Sequence, residues 1–115
     1  MSDTNSSRLN AYRIMWLFVF FDLPTDTKKD RKNYSRFRKD LMKDGFSMMQ
    51  FSVYNRHCAS VQSTDVHYKR IEKIIPPKGQ VSILQITDKQ YGEIKNFWGA
   101  KTEPLEGAPK QLELF

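Results

Sequence analysis

The sequence predicts an α+β domain with the element order β-α-β-β-α-β and a short C-terminal extension strand, the split βαβ or ferredoxin-like arrangement. Three observations predict it. An apolar run from Ile14 to Phe21 stops at Asp22-Leu23-Pro24. A segment of helical periodicity, Lys28 to Lys43, follows it directly. Two further runs of strand character, Phe46 to Cys58 and Gln80 to Thr87, flank a second amphipathic stretch.

Arg13 to Phe21 reads as a buried strand, rich in aromatic and branched residues. Its side chains alternate across the sheet. Met15, Leu17, Val19 and Phe21 fill one face, and Ile14, Trp16, Phe18 and Phe20 fill the other. Pro24 and Thr25 mark a loop, and Asp26 or Thr27 can cap the helix from Lys28 to Lys43. Tyr34, Phe37 and Leu41 form the apolar face of that helix. Asp44-Gly45 ends it, with Gly45 suited to a left-handed position. Phe46 to Cys58 is long for one strand, so a bend is expected near Met49-Gln50. Ala59 to Thr64 reads as a loop with capping residues. A second helix then runs to about Ile75, with Tyr68, Ile71, Ile74 and Ile75 as its apolar face. Pro76-Pro77 and Lys78-Gly79 stop it before the strand Gln80 to Thr87. Asp88 to Trp98 reads as a short amphipathic element carrying Tyr91, Ile94, Phe97 and Trp98. Gln111 to Phe115 is the brief last strand.

The expected organisation is a disordered tail at 1–11, one domain at 12–98 and an extension at 99–115. At 115 residues and 39% apolar composition the chain supports one core. Helices on one side of the sheet leave the other apolar face of the first strand uncovered. A second copy with its sheet facing the first is the expected cover. The alternative is that the C-terminal segment folds back over the same face.

Cys58 is the single cysteine, which excludes an intramolecular disulfide and a cysteine-cluster metal site. It reads as a small buried residue. The neighbouring His57 would point to the opposite face of a strand, so covalent thiol chemistry is not expected. The apolar run at Ile14 to Phe21 is far shorter than the ~20 residues that span a bilayer. With a polar N-terminus and no signal-peptide core, a cytoplasmic protein with no membrane partner is expected.

The net charge is +6 and the pI about 9.5, which points to anionic partners, chiefly nucleic acid. Lys28, Lys29, Arg31, Lys32, Arg36, Arg38, Lys39 and Lys43 face only Asp30 and Asp40 within their segment, which therefore carries the whole excess. Lys28, Lys32, Arg36, Lys39 and Lys43 fall within roughly 80° of one another on a helix, opposite Tyr34, Phe37 and Leu41. The stripe is about 22 Å long and suits several phosphates of a duplex. Like charges at i, i+4 repel, so a binding role explains their presence better than a merely solvated face.

Asp22 closes an apolar strand and can serve as an oxygen ligand for a hard divalent cation, or cap a turn. One carboxylate is a poor site. Two related by a dimer axis could share one Mg²⁺ or Mn²⁺. His57 and His67 lack metal-pair spacing and read as structural or solvated. Asp44-Gly45-Phe46 is a helix stop rather than a phosphate loop.

The run Phe21-Asp22-Leu23-Pro24, the Lys28 to Tyr34 helix start and Arg36-Phe37-Arg38-Lys39 share their order with a known family. So do Gly45-Phe46, Gln50-Phe51-Ser52-Val53-Tyr54, Pro77-Lys78-Gly79 and Val81 to Gln90. Over about Tyr12 to Phe97 the chain resembles the small CRISPR-associated adaptation subunit, the partner of the spacer integrase, in its type II flavour. The resemblance implies a ferredoxin-like homodimer that bridges two integrase dimers and contacts the backbone of a prespacer DNA duplex. Its C-terminal segment would pack beside the partner subunit's sheet. Asp22 matches the family's strand-end aspartate, a proposed metal ligand of a nuclease activity on RNA or DNA in some members. Leu112, Leu114 and Phe115 are the expected integrase contact, being apolar and too few for a core. The alternative function is a stand-alone, metal-dependent endoribonuclease of the toxin-like interferase type. A third, an RRM-like single-strand binder, lacks the aromatic signature of that module.

Overall fold

Eight residues with side chains apolar on both faces, Met15 to Phe21 followed by Asp22, make the strand around which the rest assembles. The computed structural model describes residues 14–99. It contains β1 (Met15–Asp22), α1 (Lys28–Lys43), β2 (Ser47–Gln50), β3 (Val53–Cys58), α2 (Val61–Ile74), β4 (Gln80–Thr87) and α3 (Asp88–Gly92). The strands form one antiparallel sheet in the order β2-β3-β1-β4. This is the α+β, ferredoxin-like fold. The tail at 1–11, the last strand at 111–115 and the residues Leu112, Leu114 and Phe115 lie outside the described residues.

The core sits between the sheet and α1 and α2. Met15, Leu17, Val19 and Phe21 of β1 meet Phe37 and Leu41 of α1, Ile71 of α2, and Leu23, Phe46, Tyr54 and Cys58. Tyr34, Tyr68 and Ile74 pack at its margin. Thr27 caps α1 through a reciprocal pair with Asp30: each side chain accepts a hydrogen bond from the other residue's backbone N–H. At the far end Gly45 takes φ +91°, and a Cβ there would lie 2.5 Å from the Arg56 guanidinium.

Several boundaries differ from those expected. α2 starts at Val61, within the stretch read as loop, because Ser60 and Ser63 cap it reciprocally. That pair uses two serines where the usual signature has an acid or amide at the second position. Ile75 lies off the buried face and is exposed. It precedes Pro76, whose ring disfavours the helical region and holds Ile75 extended at ψ 127°. The chain reverses at Phe51-Ser52, two residues beyond the expected bend. Met49 instead marks a shift in register between β2 and β3.

The face of β1 away from the helices is partly covered by its own chain. Tyr91 of α3 stacks on Trp16, centroids 3.7 Å apart and planes at 5°. Trp16 Nε1 donates to Asp88 Oδ1 at 2.7 Å. The element expected from Asp88 to Trp98 is shorter than predicted, and Phe97 and Trp98 stay exposed.

Candidate functional site

α1 presents the predicted cations. Lys28, Lys29, Arg31, Lys32, Arg36, Lys39 and Lys43 are exposed, whereas Arg38 is half-buried. Among the described residues Lys28, Lys32, Arg36, Lys39 and Lys43 form no ion pair, so the stripe keeps its full charge. Phe37 and Leu41 anchor the opposite side of the helix in the core, which fixes the direction in which the stripe faces.

Arg31 and Arg38 stand apart from that stripe. Arg31 Nη1 donates to the carbonyls of Thr25 at 3.0 Å and Asp26 at 3.1 Å. Arg38 Nε donates to Tyr54 Oη at 2.7 Å, and this hydrogen bond pushes the guanidinium pKa further up. Both are held by neutral oxygens, so neither charge is cancelled.

Asp22 is exposed at the end of β1, opposite Gln80 of β4. It shares the open face of the sheet with Trp16, Phe18 and Phe20. Gly79 (φ +98°) allows the close approach here, since a Cβ at that position would lie 2.7 Å from the Asp22 carbonyl oxygen. The Asp22 carboxylate makes no hydrogen bond among the described residues. No group of three or more His, Cys, Asp or Glu side chains gathers among those residues. A single hard oxygen donor per chain suits a divalent cation in kind but not in number.

The two histidines sit apart. His57 lies on the open face, edge-on to Trp16 at 5.6 Å. His67 is buried in α2, with Nδ1 2.6 Å from Asp44 Oδ2, and the other oxygen of Asp44 accepts from Arg70 Nη1 at 2.7 Å. Arg56 adds a bond to the Asp44 carbonyl. This cluster ties the end of α1 to α2 and β3. Sequence reasoning missed it, because Asp44 and His67 are 23 residues apart and no local pattern joins them. A groove of about 350 Å³ beside it is lined by Leu41, Lys43, Arg70, Ile71 and Ile74 and does not reach Asp22. Cys58 is buried, and burial pushes its thiol pKa up, which makes it a poor nucleophile. Among the described residues no helix is long and apolar enough to cross a membrane.

A family model described as CRISPR associated protein Cas2 matches residues 15–94. The chain is 55% identical to the CRISPR-associated endoribonuclease Cas2 of Parvibaculum lavamentivorans, over 88% of this chain and all of that protein. It is 51% identical to the protein of the same description from Flavobacterium psychrophilum, over the whole of both chains. With that of Paracidovorax avenae the identity is 45%, over 93% of this chain and 99% of the other. The matched segment spans all four strands and both long helices, and on these grounds the chain belongs to the CRISPR-associated Cas2 family.

Proposed function

We propose that this chain acts in CRISPR adaptation as a homodimeric scaffold that holds a DNA duplex by its phosphates between integrase subunits. The observation that carries this reading is the exposed stripe of Lys28, Lys32, Arg36, Lys39 and Lys43, free of ion pairs among the described residues. Lys29 extends the same positive surface, and Arg31 and Arg38 add charge on the Tyr34 side of the helix. Phosphate contacts position a duplex without reading its sequence, as a spacer-measuring role requires.

The open face supports the dimer. Phe20 and Leu84 are exposed there. Asn55 on β3 is buried without a hydrogen bond from its side chain among the described residues, and a second sheet would supply its partner. β4 is an uncharged edge strand of eight residues, able to pair with another chain. Residues 12–98 form the working domain in this reading. Leu112, Leu114 and Phe115 contact the integrase, and the protein works in the cytoplasm.

The test is Lys32→Ala with Arg36→Ala. Each lost phosphate contact lowers the slope of log K against log salt by about 0.9, so the double variant loses about two units per protomer engaged. A folded double variant that binds duplex with unchanged slope removes α1 from the interface.

A second reading is favoured by Asp22, whose exposed carboxylate makes no hydrogen bond among the described residues and stands at the end of the open face. Two facing copies would bring two such carboxylates toward one Mg²⁺ or Mn²⁺, with water completing the coordination. The bound cation would stabilise negative charge in phosphodiester hydrolysis. The relatives' description as endoribonucleases agrees with this activity, either as a side reaction or as a stand-alone function. Asp22→Asn abolishes metal-dependent cleavage if Asp22 holds the ion. Cleavage that persists in the variant assigns it elsewhere.

A further inference from the structure

The β2–β3 turn breaks a local rule. Ser52 has φ +64°, a left-handed conformation that glycine adopts without cost and serine does not. Two bonds hold it there. The Ser52 carbonyl accepts from the Phe21 backbone N–H at 3.1 Å, and its Oγ lies 3.2 Å from Tyr34 Oη. The effect is to fix Phe51 outward. Its side chain is among the most exposed of the large apolar residues, at 78%. One side of the ring lies along Tyr34, at 26° between planes and 6.2 Å between centroids.

Two cations of α1 share the side of the helix that carries Tyr34. Arg31 and Arg38 lie three residues before and four after Tyr34, and so on the same side of α1. Both guanidiniums are held rigid by neutral oxygens of Thr25, Asp26 and Tyr54. Asp30, the nearest acid on that side of the helix, is buried and engaged with the Thr27 backbone. An exposed ring lying along Tyr34, with two cations free of ion pairs one helical turn to either side of Tyr34 on α1, matches the two halves of a nucleotide, a flat base and a phosphate.

We propose that Phe51, backed by Tyr34, is a binding site for one unpaired nucleotide, its base stacked on Phe51 and its phosphate reaching Arg31 or Arg38 on the Tyr34 side of α1. This rests on the nucleic-acid reading above and sharpens it: the protein engages single-stranded nucleotides as well as the duplex. A protein surface covering Phe51 is the competing occupant, and the test separates the two.

The experiment measures binding of the full chain to a blunt duplex and to the same duplex carrying single-stranded 3′ overhangs, with 2-aminopurine in the overhang. Phe51→Ala, Phe51→Leu and Phe51→Trp are compared with the unmodified protein. Phe51 is exposed, so these variants fold. The overhang substrate binds more tightly than the blunt one to the unmodified protein and to Phe51→Trp. Phe51→Ala and Phe51→Leu lose that advantage, about 5-fold or more as expected for one stacked base, and leave 2-aminopurine fluorescence unquenched. Blunt-duplex affinity stays within about twofold throughout. Equal loss on both substrates, or an unchanged preference in Phe51→Leu, overturns the site and leaves a protein contact as the role of Phe51. Failure of the unmodified protein to bind blunt duplex at all overturns instead the reading on which the site rests.

Discussion

On the helix side of β1, Leu17 and Val19 are completely buried; on the open side, Phe20 keeps 39% of its surface and Leu84, opposite Phe18 on β4, keeps 47%. Both faces are apolar and belong to the same strands. The difference lies in what the rest of the chain offers each. Two helices of 16 and 14 residues close the first face. A helix of five residues reaches the second, where Tyr91 stacks on Trp16 and meets Phe18, and it leaves Phe20 and Leu84 open. Stability therefore resides on one face, while the other retains apolar surface that assembly can use.

Substitutions on the two faces break this comparison in different measurements. Leu17→Ala should cost the most, about 2–5 kcal/mol of unfolding free energy by urea denaturation, since a cavity opens in a closed core. Leu84→Asp should leave the unfolding of the dissociated chain within about 0.5 kcal/mol. It should weaken self-association about tenfold or more, read by sedimentation velocity, because a charge would enter an apolar contact. Self-association unchanged by Leu84→Asp would remove the open face as the dimer surface. Tyr91→Ala should cost about 0.5–1.5 kcal/mol, the worth of an aromatic pair, and red-shift Trp16 emission as water reaches the indole.

The smallest effect concerns pH. Burial raises the Cys58 thiol pKa in the folded chain. Its contribution to stability is fully present below the ordinary thiol value of ~8.5. It is lost as pH rises from there through the folded value, because the unfolded chain releases its proton first. Cys58→Ala should flatten the decline of stability above about pH 8.5, measured by urea midpoints across pH.

The stripe, the helix from Lys28 to Lys43 and the two-faced first strand were legible because each is a local pattern. Charge spacing, the 3.6-residue period and strict alternation all act within a few turns of chain. The serine-capped start of α2 was legible only in a weaker form, since Ser60 and Ser63 replace the usual acidic partner. The Phe51-Ser52 turn was misplaced because its left-handed residue is a serine, held by Tyr34 and the end of β1 rather than by its own preference.

Arg31 and Arg38 make the same point for the candidate site. Sequence spacing counted them with the other cations of α1, and the fold fastened Arg31 to the Thr25-Asp26 loop and Arg38 to Tyr54. Asp44, His67 and Arg70 meet only because α1 and α2 pack side by side. Element order, the buried face of each long helix and the place of the charge follow from forces that act between near neighbours in the chain. Which cations are tethered, how far Tyr91 covers Trp16 and where Phe51 points are set by the packed fold. Those outcomes depend on contacts between residues far apart in the chain, whose meeting no local period encodes.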